Sequence, residues 1–164
     1  MKKILLILMI SFSLVSFGKS IDMDQTENEN GILYEVNKEI PYTGEVVYYY
    51  ENGQLAGREN YKDGKLDGES NAYYENEKIA GKLNYKDGDP NGESVFYYIT
   101  GDVKAVVNYK AGKLNGESIG YYQTGQIAGK ENYKDGKLYG EMIYYYETGE
   151  IQDKRNYKDG KKID

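Results

Sequence analysis

The sequence predicts an all-β fold, an elongated single antiparallel sheet of tandem hairpin repeats, each 24 residues long. A Gly-Glu pair returns at that fixed interval, at Gly44, Gly68, Gly92, Gly116 and Gly140. Asn-Gly, Thr-Gly and Asp-Gly pairs separate short runs of Tyr and aliphatic residues, which is typical of β-hairpins. These turn residues recur too often for helices. Such periodicity indicates a repeat architecture, in which each unit buries its apolar side against its neighbours.

Three segments precede the first whole repeat. Residues 1–18 combine two lysines, an apolar run and small residues before Gly18, a pattern typical of a signal peptide cleaved after that glycine. Residues 19–30 are acidic and carry almost nothing apolar, which predicts a disordered tether. Residues 31–43 look like half a repeat, and whole repeats begin at residues 44, 68, 92, 116 and 140. We therefore expect an exported protein in the periplasm, in the cell envelope or outside the cell.

Composition argues against several classes of function. The chain has no Cys and no His, which removes the usual zinc ligands, the thiolate nucleophile and the usual general base. Its glutamates recur as a ladder rather than as an acid pair, so we expect neither an enzyme nor a cofactor. The Asp, Asn and Gly residues of the turns lack calcium-loop spacing, so we expect no metal. A formal net charge of −6 argues against nucleic acid and anionic membranes as partners.

The register of each repeat depends on the lengths of its two turns. If the turn at residues 52–53 contains two residues, Tyr48 lies opposite Gly57 and Tyr50 lies opposite Leu55. Each such turn exchanges odd positions for even ones, and two per repeat return every column to its original face. Two three-residue loops would also preserve the faces, whereas one turn of each length would not. Because Asn-Gly and Asp-Gly favour type I′ turns, we expect two two-residue turns.

This register divides the side chains between two faces. The first face carries Tyr50, Leu55, Gly57, Tyr61 and their equivalents, and is expected to be a core in which glycines let the sheet coil under aromatic rings. The second face is expected to be wet, with a row of tyrosines along its middle. Opposite charges there predict the cross-strand ion pairs Arg58–Glu69, Lys82–Glu93 and Lys130–Glu141.

The second face also holds the candidate binding residues. Tyrosine offers a large contact area at low entropic cost and is enriched in binding surfaces. The third repeat carries apolar side chains at mostly polar positions, which predicts an exposed apolar patch there. The candidate partner-binding residues are Tyr49, Tyr73, Tyr97, Ile99, Val106, Tyr121 and Tyr145. The alternative interpretation is that these tyrosines only favour strand formation and lie under Lys and Glu stems.

The two ends of the sheet differ in protection. The last repeat carries charges at Asp153, Lys154 and Arg155, which predicts a C-terminal edge guarded against pairing with another chain. At the other end, residues 32–36 are mostly apolar and predict a weakly protected N-terminal edge. Self-association or partner strand addition is expected to begin there.

A recurring pattern, Tyr-x-x-Gly-x-x-x-Gly, runs first from Tyr61 to Gly68 and resembles the MORN repeat. The longer unit over residues 44–161 is similar to the bacterial variant of that repeat. The resemblance implies an elongated sheet of successive hairpins with a role in interaction or scaffolding. Some bacterial members are labelled antitoxin components of toxin–antitoxin modules, which implies an antitoxin or immunity-type role as a further alternative. An export leader would separate this chain from a cytoplasmic toxin.

These observations favour a non-enzymatic exported repeat protein that binds a protein partner or acts as a structural scaffold. A surface glycan is the alternative ligand, because hairpins with paired tyrosines also resemble cell-wall-binding repeats. Those repeats are shorter and build their ligand cages from Trp, which this chain lacks. No strong membrane binding is expected once the signal peptide is removed.

Overall fold

The computed structural model describes residues 20–163, so the predicted signal peptide lies outside the described residues. The N-terminal part contains β1 (Ser20–Asp22), a short 3-10 helix (Met23–Gln25), β2 (Thr26–Glu29) and β3 (Ile32–Glu35). The repeats contain β4 (Gly44–Tyr49), β5 (Leu55–Lys62), β6 (Lys65–Tyr73), β7 (Ile79–Lys86), β8 (Asp89–Pro90), β9 (Gly92–Tyr97), β10 (Val103–Lys110), β11 (Lys113–Leu114), β12 (Gly116–Tyr121), β13 (Ile127–Lys134), β14 (Lys137–Leu138), β15 (Gly140–Tyr145), β16 (Ile151–Lys158) and β17 (Lys161–Lys162).

Consecutive hairpins form one open sheet of fifteen strands, and β2 and β3 form a separate sheet of two. Every pairing between repeat strands is antiparallel, and residues 20–163 contain no α-helix. The short strands β8, β11 and β14 pair beside the turns that precede β9, β12 and β15. The predicted all-β meander of tandem 24-residue repeats is therefore confirmed.

The first turn of each repeat contains three residues, so the predicted two-residue turn is wrong. The Tyr50 N–H donates to the Gln54 carbonyl at 2.8 Å, and Gly53 closes the loop with φ of +83°. The residue opposite Leu55 is therefore Tyr49, whereas the predicted residue was Tyr50. An extra residue, Ala56, then shifts the register again, so that the predicted pairing of Tyr48 with Gly57 is present. This β-bulge restores the parity that an odd loop would have destroyed.

The second turn contains two residues, as predicted. Asp63 and Gly64 have φ of +49° and +78°, the positive values that a type I′ turn requires, and Tyr61 lies opposite Leu66. Beyond this turn the register slips by two residues, because Gly68 (φ +104°) begins an irregular segment. The Asn60 amide holds that segment by donating to the Glu69 carbonyl at 2.7 Å.

This two-residue slip makes the predicted ion pairs wrong. Arg58 lies opposite Asn71, and Lys82 and Lys130 lie opposite Val95 and Ile143. Arg58 instead approaches Glu45 within its own hairpin at 3.9 Å. A shift of two residues preserves parity, so the division into two faces survives although the pairs across it change.

Residues 20–29 form two short strands and a 3-10 helix, which corrects the predicted disordered tether. β1 pairs in parallel with β4, placing Ile21 opposite Val46, and β2 pairs with β3. Ile21, Leu33, Tyr42 and Val46 form a buried cluster against which Tyr61 packs. The first repeat has no preceding repeat to cover Val46, so the N-terminal segment takes that place despite its acidic composition.

The N-terminal edge is consequently not the one that the sequence predicted. β3 does not belong to the large sheet: it pairs with β2, and its Leu33 is only 2% exposed. The strand beside β4 is the short β1. A short terminal strand is one of the ways in which proteins limit pairing at a sheet edge.

Two ladders of hydrogen bonds join each repeat to the next. At the three-residue loops, a Tyr hydroxyl donates to a backbone carbonyl of the following repeat at 2.6–2.7 Å, in the pairs Tyr50–Tyr73, Tyr74–Tyr97, Tyr98–Tyr121 and Tyr122–Tyr145. At the other ends of the strands, the glycine N–H of each two-residue turn donates to a backbone carbonyl of the preceding repeat, as Gly88 does to Leu66 at 2.8 Å. Hydrogen bonds therefore join neighbouring repeats at both ends of their strands.

Candidate functional site

The second face carries an apolar island in its middle. Val106 lies opposite Val95 on one side and Ile119 on the other, while Lys82 and Lys130 continue the same row outward. Directly opposed side chains share a face and lie within about 4.5–5.5 Å between Cβ atoms. The three aliphatic residues are therefore direct neighbours, and they form the longest aliphatic run of a row that also contains Val47 and Ile143.

Three more residues extend this island toward the loops. Tyr97 and Tyr121 lie two positions beyond Val95 and Ile119 on the same strands, and therefore on the same face. Val103 lies opposite Tyr97 and is 37% exposed. We call these residues the second-face patch, which consists of Val95, Tyr97, Val103, Val106, Ile119 and Tyr121. The structure therefore brings together three of the sequence-predicted residues, Tyr97, Val106 and Tyr121.

The remaining candidates are spread along the array. Tyr49 is 53% exposed at the N-terminal end, beside Met23 and Val47. Tyr73 and Tyr145 are half-buried and recur at two-strand intervals from Tyr97 and Tyr121, about 10 Å along the sheet each time. These tyrosines form a row, not a compact site.

Ile99 lies outside the second-face patch. It is 57% exposed in the three-residue loop after Tyr98, and its carbonyl accepts a 3.1 Å hydrogen bond from the Asn76 amide. The prediction that Ile99 lies on the second face depended on a loop of two residues. Ile99 therefore contacts solvent at the loop side of the array.

Sequence reasoning missed one column of this surface. Leu55 and its equivalents Ile79, Val103, Ile127 and Ile151 were assigned to the first-face core, but Leu55 lies opposite Tyr49 and so shares the second face. The available signal was the glycine at the third loop position, as in Glu51-Asn52-Gly53. A three-residue loop closed by a left-handed glycine is the next commonest hairpin connection after the two-residue turn.

On the first face, tyrosine hydroxyls converge on two carboxylates. Tyr61 donates to Glu59 at 2.8 Å, Tyr133 donates to Glu131 at 2.6 Å, and Tyr144 also donates to Glu131. Burial, followed by the bond to its glutamate, raises the pKa of Tyr61 and of Tyr133 well above the ordinary value. The bond to Glu131, followed by burial, raises the pKa of Tyr144 to about 12.

The chemistry of both faces suits binding. Among residues 20–163, no three acidic side chains are grouped closely enough to hold a metal ion. No helix within those residues is long and apolar enough to cross a membrane. The two faces offer a patterned surface of aromatic, aliphatic and charged side chains. Apart from β2 and β3 at the N-terminal end, residues 20–163 place no second layer over the large sheet.

Comparison with known protein families gives a match to the family described as MORN repeat variant, at residues 42–63, 66–87, 114–135 and 138–159. Together these matches cover more than half of the 164-residue chain. The unmatched interval between residues 87 and 114 contains most of the second-face patch, including Val95, Tyr97 and Val106. No curated protein matches the chain.

Proposed function

This chain belongs to the MORN repeat variant family, and on that premise we propose that it is a non-enzymatic array that binds a protein partner through the second-face patch. The observation that carries the proposal is the apolar island of Val95, Val106 and Ile119, which are half-buried and over which residues 20–163 place no second layer. A contiguous apolar surface with a polar rim is typical of protein interaction sites. Val95 and Val106 lie in the interval that the family pattern leaves unmatched, whereas Ile119 lies in the matched repeat that follows.

The surroundings of the patch favour a partner with acidic groups. Lys82 and Lys130 stand at the two ends of the aliphatic row, each directly opposite one of its residues. A partner with an apolar centre and carboxylates at its rim would desolvate the island and pair with both ammonium groups. Rim charges of this kind act mainly on association rate and specificity.

A capture experiment tests the proposal. The array with residues 1–18 removed is immobilised and exposed to a cell-envelope extract, and bound proteins are identified by mass spectrometry. Tyr97→Ser, Val103→Ser and Val106→Ser together should abolish capture of any specific partner, because these changes remove the centre of the patch. Ile151→Ser and Ile163→Ser, which also remove exposed apolar side chains, form the matched control and should retain it.

Two further variants and one assay complete the design. Ile99→Ser alone should leave capture unchanged, because Ile99 projects from a loop and not from the patch. Equal capture by the patch variant and the wild type, with both folded by circular dichroism, would refute the proposed surface. Binding on a glycan array in place of protein capture would favour the glycan alternative.

We also propose that the protein is exported, supported by the basic start and apolar run of residues 1–18. Recovery of chains that begin at Lys19 would support this proposal, and recovery of intact chains from the cytoplasm would oppose it. The resemblance to bacterial members labelled as antitoxin components would make the partner a toxin. The same capture experiment, repeated with cytoplasmic extract, tests that version.

A further inference from the structure

The first face contains a slot that the chain does not fill. In one row across the sheet, three small residues separate each aromatic residue from the next, and the three aromatic rings lie over or beside glycines: Tyr48 over Gly57, Phe96 beside Gly81, and Tyr144 over Gly129. Gly120 belongs to the same row, opposite both Ala105 and Gly129. A Cβ atom built at Gly120 would meet nothing within 4 Å. Among the described residues, no aromatic ring therefore lies over Gly120.

The position of Phe96 explains the gap. Phe96 lies between Gly81 and Ala105, and its ring approaches Gly81, with Cδ1 3.4 Å from the Cβ position there. Tyr144 leans over Gly129, with Cδ1 2.5 Å from the Cβ position of that glycine. The interval between the two rings, above Ala105 and Gly120, is left open. It forms a cavity of about 280 Å³ with Tyr144 as one wall.

The size and lining of the slot select the kind of occupant. Its volume lies just below the range of about 300–1,000 Å³ typical of small-molecule pockets, so it suits one side chain better than a drug-sized ligand. Its floor is formed by Ala105, Gly120 and Gly129, which admit a flat group close to the backbone. In every covered position of this row, the flat group is an aromatic ring.

The charge at the slot indicates which residues would flank a bound aromatic side chain. Glu131 lines the cavity, and each of its carboxylate oxygens accepts one tyrosine hydroxyl, from Tyr133 and Tyr144. A carboxylate offers about four acceptor positions, so two remain for another donor. The neighbouring Asp153 is already paired with Arg155 at 2.8 Å. Glu131 is therefore the charged group available to an incoming cation, on a chain whose net charge is −6.

We propose that this slot binds an aromatic side chain of a partner polypeptide in which a Lys or Arg flanks the aromatic residue. The ring lies over Gly120 beside Tyr144, and the cation pairs with Glu131. This site is on the face opposite the second-face patch. Ile119 of the patch also lines the slot, but the proposal does not rest on the proposed function.

Capped tripeptides serve as probes. In ¹H–¹⁵N NMR titrations, Lys-Phe-Lys should shift the amide signals of Gly120 and Gly129 saturably. Lys-Leu-Lys, which lacks the ring, and Glu-Phe-Glu, which reverses the charge, should each bind at least threefold more weakly. Equal shifts from all three peptides, or no saturable shift from Lys-Phe-Lys, would overturn the proposal.

Gly120→Tyr provides the decisive variant. Open space surrounds its Cβ, and its φ lies outside the left-handed region, so the new ring should cover the slot without unfolding the chain. Binding of Lys-Phe-Lys should weaken about tenfold or more, as expected when the burial of an anchoring side chain is lost. Glu131→Gln should reduce the preference for Lys-Phe-Lys over Glu-Phe-Glu. Unchanged binding by folded Gly120→Tyr would refute the site.

Two controls separate the outcomes. The second-face variant Tyr97→Ser/Val103→Ser/Val106→Ser should bind Lys-Phe-Lys like the wild type, so failure of one site is distinguishable from failure of the other. Sedimentation across a range of protein concentrations tests whether a second copy of the chain fills the slot. Concentration-dependent association that Gly120→Tyr abolishes would show self-docking and would overturn the assignment to a partner's segment.

Discussion

At the residue scale, Gly129 and Gly120 lie directly opposite each other but differ in how closely other atoms pack against them. A methyl group on Gly129 would lie 2.5 Å from Tyr144 Cδ1 and 3.3 Å from the Ile143 carbonyl oxygen. A methyl group on Gly120 would meet open space. The first glycine is required by close packing under a ring, and the second leaves room that the chain does not use.

This difference predicts opposite effects of the same substitution. Gly129→Ala should lower the free energy of unfolding by about 1–3 kcal/mol, because the ring and the backbone must move apart. Gly120→Ala should be neutral or stabilising by up to about 1 kcal/mol, because it reduces the entropy of the unfolded chain without strain. Urea unfolding of both variants measures the two values. Similar losses at both positions would contradict this account of the row.

Tyrosine hydroxyls bound to Glu59 and Glu131 predict a loss of stability at alkaline pH. The folded-state pKa values of Tyr61, Tyr133 and Tyr144 are raised above the ordinary value of about 10, so the folded chain keeps protons that the unfolded chain releases. Their contribution is complete below about pH 10. It is lost as pH rises toward the folded-state values, which for Tyr144 is about 12.

The measurement is the urea midpoint at a series of pH values from 8 to 12, a range chosen to span both limits. The midpoint should be steady at the lower end and should fall above about pH 10. Glu131→Gln removes the negative charge beside Tyr133 and Tyr144 and should reduce the fall. An unchanged pH profile in that variant would show that the carboxylate does not hold these protons.

At the scale of the elements, the tyrosine ladder fastens one hairpin to the next. Tyr98 donates to the Tyr121 carbonyl at 2.7 Å, whereas Tyr146, in the last repeat, is 50% exposed. Tyr98→Phe should therefore destabilise the chain by about 0.5–1.5 kcal/mol, the usual net contribution of one hydrogen bond. Tyr146→Phe is the matched control and should change stability by less than half of that. Equal effects in urea unfolding would mean that the ladder contributes nothing specific.

The hairpins also mark where prediction from the sequence succeeded and where it stopped. The period, the two faces and the turn at Asp63-Gly64 are local properties, which turn chemistry and alternation specify directly. The three-residue loop and the bulge at Ala56 were missed because their effects on parity cancel. The two-residue slip at Gly68 preserves parity as well. The sequence therefore predicted the correct face for the columns of Gly57 and Tyr61 through an incorrect register, but the wrong face for the column of Leu55.

The candidate site was predicted only in part for the same reason. Tyr97 and Tyr121 were found because a tyrosine recurs at that position in every repeat, and Val106 was found because it replaces a mostly polar or glycine position. Val103 was missed because its face depends on the loop length, and Ile99 was misplaced by the same error. The slot over Gly120 could not be predicted, because it depends on the direction in which the Phe96 ring leans.

At the scale of the whole molecule, the two ends of the sheet are closed differently. The N-terminal end is covered by β1 and by the cluster around Leu33, a contact between segments distant in sequence, which local patterns did not reveal. At the C-terminal end, β17 pairs with Tyr157 and Lys158, and the Ile163 N–H donates to the Asn156 carbonyl at 3.0 Å. Among the described residues, no strand pairs with the outer edge of β16 from Ile151 to Arg155, so its charged side chains are the protection there.

That arrangement predicts the effect of removing the charges. Asp153→Gly, Lys154→Val and Arg155→Val together should cause concentration-dependent association by light scattering, because an uncharged edge strand is a template for another chain. Lys158→Val, on the part of β16 that β17 covers, is the control and should remain monomeric. A triple variant that stays monomeric at high concentration would show that the charges do not guard the edge.

The return of every column to its own face after one period makes the number of repeats an adjustable quantity. Deletion of residues 92–115 removes one whole period and should shorten the sheet by two strands, about 10 Å in the longest dimension by small-angle X-ray scattering. Deletion of one residue fewer should instead exchange the first and second faces in all later repeats, and should therefore prevent folding. In the shorter array, Tyr74 would donate to the Tyr121 carbonyl as it now does to that of Tyr97, so the length of the sheet can change by whole repeats without loss of this contact.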